Sequence, residues 1–305
     1  MLLEVKNLTK SFGEKQVLKG ISLSVQSGKA FGLLGRNGAG KTTAIRIIMD
    51  VFKPDSGEVL FDGMPRSGKN IRFGYLPEER GLYPKKLIGE QLIYFGELKG
   101  MKAGEAKKSV QKLLDRLDMG EYYNKRLDSL SKGNQQKIQL AAALISNPDI
   151  IILAEPFSGL DPVNAQTLKE IVKESIAEGK IVLFSSHQMN YVEEFCNEIA
   201  ILNQGQIAIS GNIKEIKRSY ERNKIVITAL PDALEKINGF ISQHLSPIIS
   251  DVKSDNNSLL VRLKNASDKG ILLKSLAEQN LDFDGFNVYE PTLNDIFVQY
   301  TEDAV

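Results

Sequence analysis

A chain of 305 residues is long enough for one large domain and a smaller one. Its 39 basic and 38 acidic residues leave a net charge of +1, which argues against a nucleic-acid partner. The 42% apolar and 25% charged residues exclude a disordered or fibrous chain. One cysteine, Cys196, allows no internal disulfide and is expected to be a small packed core residue. No apolar run approaches the ~18 residues that span a bilayer. The opening MLLEVKNLTKSFG lacks a signal-peptide core. A cytosolic chain is expected, with any membrane role coming through a partner.

In chain order, LLEVKNLTKSF and KQVLKGISLSV alternate apolar and polar residues and predict half-buried strands. AFGLLGRNGAGKTTAIRIIMDVF predicts a strand, a glycine loop and a helix. A helical, charged section follows over about residues 88–127, where Val110, Leu113, Leu114 and Leu117 share one helical face and are expected to pack in a core. DIIIL, a helix over about 163–178 and KIVLFSS restore an α/β pattern of parallel strands buried on both faces. IAILNQGQIAISG predicts a hairpin. After about residue 220 the order becomes strand, helix, hairpin across Asp255-Asn256-Asn257, helix, strand and a last helix, TLNDIFVQYT. Its first six elements, βαββαβ, predict a small α+β ferredoxin-like domain. No catalytic pattern appears there, and its lone His244 is expected to be structural.

The stretch from Gly35 through Asn37, Gly38, Ala39 and Gly40 to Lys41 and Thr42 satisfies G-x-x-x-x-G-K-[ST], with Thr43 following. Glycines let the backbone turn its N–H groups toward phosphates, and a helix starting at Lys41 presents its positive end to the anion. Lys41 can reach the terminal phosphates, and the Thr42 hydroxyl can be offered to Mg²⁺. A nucleotide is the implied ligand.

LSKGNQQK, before the helix IQLAAALIS and the strand-turn IIILAEP, resembles the signature segment of the ATP-binding cassette (ABC) ATPases. Lys132 stands in place of a glycine and Asn134 in place of a glutamine. The resemblance spans about residues 1–220 and implies a P-loop nucleotide-binding domain with a helical subdomain over about 84–145. It also implies further roles. Phe12 would stack on adenine. Glu78, where the family usually has glutamine, would sense Mg²⁺. Ser131, Gly133, Asn134 and Asp161 would contact ATP across a head-to-tail dimer. Glu155 would be the general base, and His187 would contact the γ-phosphate, with Lys41 completing the catalytic set. An ordinary Ser N-cap at position 131 and a plain turn around Asp161 are the plainer readings.

Residues 221–305, ending in VYEPTLNDIFVQY, resemble the C-terminal domain of ATPase subunits of ABC-2-type exporters. GYLPEERGLYPKK with LSKGNQQKIQ is most similar to the sodium-extrusion, NatA-like branch. An ABC-2-type permease on a separate chain, a second ATPase copy, and peripheral attachment to the inner face of the membrane are therefore expected. Ala154 is the departure: the family places there an aspartate that supports magnesium. The residue reads as an introduced block on hydrolysis, or as a natural feature of a weakened ATPase. A soluble or hydrolysis-dead ABC protein acting as a nucleotide-gated regulator is the competing expectation.

Overall fold

Apolar alternation builds the first sheet of this computed structural model, which describes residues 1–66, 70–79, 81–220, 222–255, 257–279 and 281–301. Strands β1 (Leu2–Phe12) and β2 (Lys15–Gln26) pair antiparallel, and β4 (Ser56–Phe61) and β5 (Met64–Pro65) extend the sheet in the order β2-β1-β4-β5. Leu3, Val5, Leu8, Leu18, Ile21, Leu23 and Val25 are the buried set; they follow the predicted alternation except across a bulge, where Val5 to Leu8 and Leu18 to Ile21 are three residues apart.

A second sheet has the order β10-β9-β3-β8-β7-β6. Its members are β3 (Lys29–Gly35), β6 (Phe73–Leu76), β7 (Ile150–Ala154), β8 (Ile181–Ser185), β9 (Glu198–Asn203) and β10 (Gln206–Asn212). Strands β6, β7, β8, β3 and β9 run parallel, and only β10 returns antiparallel. All five residues of β7 and of β8 are buried, as strands covered on both faces must be. Because these strands are parallel and adjacent, the loops after them leave from one edge. That edge positions the site.

Helix α1 (Lys41–Ile48) packs its Ala44, Ile45, Ile47 and Ile48 into the core between the sheets. Helices α2 (Ile88–Leu98), α3 (Ala103–Arg116) and α4 (Lys132–Leu144) form the helical section. Val110, Leu114 and Leu117 are fully buried there and Leu113 partly so. At about 1.5–3 kcal/mol per buried aliphatic side chain, this stripe suffices to hold α3 in place. Helix α5 (Pro162–Ala177) starts on proline after an Asp161 cap, and α6 (Met189–Phe195) follows β8. Cys196 is buried, and burial pushes its thiol pKa up.

The chain separates into two compact units. One comprises residues 1–213 together with 297–305, and the other residues 214–296. Helix α7 (Ile213–Ser219) opens the second unit, which continues with β11 (Lys224–Thr228), α8 (Pro231–His244), β12 (Ile249–Asp255), β13 (Ser258–Leu263), α9 (Lys269–Glu278) and β14 (Gly285–Val288). The four strands make an antiparallel sheet in the order β12-β13-β11-β14, the split βαββαβ arrangement. Ile225, Ile227, Leu259, Val261 and Leu263 face Leu234, Ile237, Ile241, Leu272 and Leu276 of the helices. Asn256, in the expected hairpin turn, lies outside the described residues. His244 is exposed and stacks on Phe240 at 4.8 Å. The final helix, α10 (Leu293–Thr301), is divided: its first turn belongs to the second unit, and residues from Phe297 belong to the first.

Candidate nucleotide site

The loop after β3 carries the glycines. Gly40 caps α1 at φ 109°, a conformation that favours glycine, and a Cβ there would stand 2.8 Å from Leu18 Cδ2. Asn37 and Gly38 are exposed at the loop tip, whereas Ala39 and Gly40 are buried. Thr42 and Thr43 follow in the first turn of α1, whose leading N–H groups have no partner within the helix. The Lys41 ammonium turns back on its own loop, donating to the carbonyls of Gly35 at 2.6 Å and Arg36 at 3.1 Å. Burial lowers its pKa, opposed by the charges of Glu155 and then Glu78. Two carboxylates therefore act electrostatically on this lysine.

The parallel sheet explains their meeting. Glu78 lies two residues beyond β6, Glu155 one beyond β7 and His187 two beyond β8. Glu155 is almost fully buried and sits at φ 48°, a strained backbone for a side chain with a Cβ. Its N–H still donates to Ser185 O at 2.9 Å, so the strand pairing continues through the bend. The carboxylate is held by two donors and lies against the His187 ring. Oε1 accepts from the His187 N–H at 2.8 Å and lies 2.8 Å from His187 Nδ1, and Oε2 accepts from the Ser186 hydroxyl at 2.8 Å. Ala154, paired with Ser185 in register, brings a methyl group where the neighbouring position brings an acid.

A second cluster forms around the start of α4. Ser131 caps that helix, its hydroxyl accepting from the Asn134 N–H at 3.3 Å. Asp161 caps α5, accepting from the Asn164 N–H at 2.9 Å and from its side-chain amide at 2.6 Å. These hydrogen bonds hold the Asp161 carboxyl below its ordinary pKa. A Cβ on Gly133 would lie 3.3 Å from Asn164 Nδ2, so the two caps are neighbours. The plain-cap geometry at Ser131 and Asp161 is present. Gln136 donates to the Pro156 carbonyl at 3.2 Å and ties α4 to the segment after Glu155. No hydrogen bond or ion pair joins Ser131 or Asp161 to Lys41 among the described residues. Phe12 stands apart with half its surface exposed, edge-on to Phe52 at 5.7 Å and with Lys10 Nζ 5.6 Å from its ring centre.

The donors near Lys41 are an exposed hydroxyl, Thr42, and two carboxylates, Glu78 and Glu155. This is hard oxygen chemistry suited to Mg²⁺ carried with phosphates. Sequence reasoning did not find Ser186, Asn164 or Gln136. For Ser186 a signal existed: a hydroxyl beside His187 at the end of the strand next to Glu155.

A family model described as ABC transporter matches residues 18–158, and a second, the C-terminal domain of DrrA1-3-like ATP-binding proteins, matches residues 211–301. The ABC transporter ATP-binding protein YhaQ of Bacillus subtilis is 38% identical over 98% of both chains. The ABC transporter ATP-binding protein NatA of the same organism is 36% identical over 71% of this chain and 93% of its own. The Nod factor export ATP-binding protein I of Paraburkholderia xenovorans is 29% identical over 98% of this chain and 96% of its own. A bacterial ABC transporter cassette solved as a dimer superimposes with a TM-score of 0.62 at 26% identity, covering 69% of this chain and 98% of that one. The fold and the loop after β3 define a P-loop ABC ATPase. The chain belongs to the family of ABC transporter ATP-binding proteins, the nucleotide-binding subunits of ABC transporters.

Proposed function

We propose that this subunit energises an exporter whose membrane permease is a separate, ABC-2-type chain. Two copies close head to tail over two ATP molecules. Each ATP is held by one copy's residues 35–43 and Phe12 and by the other's Ser131, Gly133, Asn134 and Asp161. The observation that carries this reading is the sheet edge that converges Lys41, Glu155, Glu78 and His187, while Ser131 and Asp161 form a separate cluster. A site in two halves suits completion by a second copy. Among the described residues no helix is long and apolar enough to cross a membrane.

Lys41 binds the terminal phosphates, and Thr42 and Glu78 hold Mg²⁺. When bound, the metal offsets charge as the γ-phosphoryl group departs. Glu155, fixed by Ser186 and the His187 N–H, takes the proton of the attacking water, and His187 faces the γ-phosphate. With Ala154 in place of an acid, ATP binding survives and turnover falls, by about 10–100-fold if the loss resembles that of an outer-shell ligand. The retention of Glu155 and His187 in a formed site favours an introduced change at Ala154.

Sodium is the proposed export substrate, supported by the likeness to the NatA-like branch at GYLPEERGLYPKK and LSKGNQQKIQ. Reconstitution with the co-purified permease tests it. ATP-dependent ²²Na⁺ efflux is expected, and its absence while another cargo moves would remove the sodium assignment. Ala154 also favours a second reading, a nucleotide-gated regulator that does not turn over. In that case the chain co-purifies with a soluble partner or an active paired ATPase.

A further inference from the structure

The phosphate loop has a support outside its own motif. Strand β9 is parallel to β3, with Gly35 paired to Leu202, so the β9–β10 turn emerges beside the loop. In that turn Gln204 and Gly205 have φ 46° and 82°, the left-handed pair of a tight hairpin. The Gly205 N–H donates to Ala39 O at 3.2 Å, and its carbonyl accepts from the Lys19 N–H at 2.8 Å. A Cβ at Gly205 would stand 2.4 Å from Val17 O, so the turn is wedged between β2 and the loop.

On the other side of this turn, Asn203 Nδ2 donates to Tyr300 O at 3.0 Å. Tyr300 lies in the last described turn of α10. Asn203 thus ties the turn to that helix, and Thr301, the residue after Tyr300, is fully buried. From Tyr300 the connection runs through Asn203, along two residues of backbone, to Ala39.

We infer that Asn203 is a positioning residue for ATP binding: it uses the end of the last helix to fix the β9–β10 turn against Ala39 and so sets the shape of the phosphate loop. The proposal rests on the reading of residues 35–43 as the ATP site. Asn203 and Tyr300 both belong to the first unit, so the last turn of α10 is part of the same compact unit as the loop it supports.

The test uses the full chain with Asn203→Leu, which keeps bulk and removes the donor, and Asn203→His, which retains an N–H at similar reach. ATP affinity is measured with a fluorescent analogue, and amide exchange is followed at Gly205 and across residues 38–43. Loss of one hydrogen bond predicts about 3- to 10-fold weaker binding for Asn203→Leu and faster exchange at Gly205 and the loop. The Asn203→His protein is expected to stay near the parent. Unchanged affinity and exchange in Asn203→Leu would overturn the inference. So would affinity loss in Asn203→His equal to that of Asn203→Leu. Should Asn203→Leu fail to fold, Asn203→Ala serves under the same criteria. A parent chain that binds no ATP would count against the nucleotide reading instead.

Discussion

Glu155 shows how one side chain is made ready by its neighbours. Its left-handed backbone turns the carboxylate away from the strand direction, and Ser186 and His187 meet it from the loop after β8. A nearly buried carboxylate that loses one of its two donors is left partly unpaired, which costs orientation more than it costs fold. In an Ala154→Asp background, Ser186→Ala is therefore expected to lower ATP turnover about 10-fold, with affinity moving less than about twofold. A steady-state assay beside an equilibrium titration checks the split. The phosphate loop was legible in the sequence because its chemistry needs fixed spacing along one short segment. The grip on Glu155 was not, since Ser186 meets it only through the register of β7 and β8.

At the scale of elements, α10 explains the closing motif YEPTLNDIF. The Thr292 hydroxyl accepts from the Asp295 N–H at 3.1 Å, and Asp295 accepts from the Thr292 N–H at 2.9 Å, a reciprocal cap. Tyr289 adds its hydroxyl to the same carboxylate at 2.8 Å. For Asp295, burial raises the pKa, but the Thr292 and Tyr289 hydrogen bonds outweigh it and hold the group low. For Tyr289, burial and then the Asp295 bond push the phenol up to about 12. The signs follow. The carboxylate's contribution is complete above the ordinary aspartate range and is lost as pH falls through its lowered pKa. The phenol's contribution is complete below about pH 10 and is lost as pH rises toward 12. Asp295→Ala is expected to cost about 1 kcal/mol near neutral pH, to remove the acid limb and to lessen the alkaline one, checked by urea unfolding across pH. Strands with clean alternation, such as β11 and the latter half of β2, could be read from sequence because burial on one face writes the pattern. The division of α10 between units could not, because TLNDIFVQYT carries one continuous helical signal and no mark of what each turn packs against.

At the scale of the molecule, the two separate clusters predict assembly. Ser131 and Asp161 are exposed, neighbouring caps, with no bond to Lys41 among the described residues. On the proposal that Ala154 slows hydrolysis, ATP is expected to hold the closed pair long enough to be seen. Ser131→Arg, which places bulk and a donor-only side chain at the cap, is expected to abolish ATP-dependent dimers in light scattering while leaving ATP binding by the monomer within about threefold. Dimers that persist in Ser131→Arg would remove the head-to-tail arrangement.

The most direct measurement is Mg²⁺-dependent ATP hydrolysis by this chain beside its Ala154→Asp form, with ATP affinity measured for both. Restoring the acid is expected to raise turnover by about 10-fold or more while affinity changes little. If neither form hydrolyses ATP, even with its permease supplied, the cassette is not a motor, and the assignment of Glu155 as its working base is contradicted.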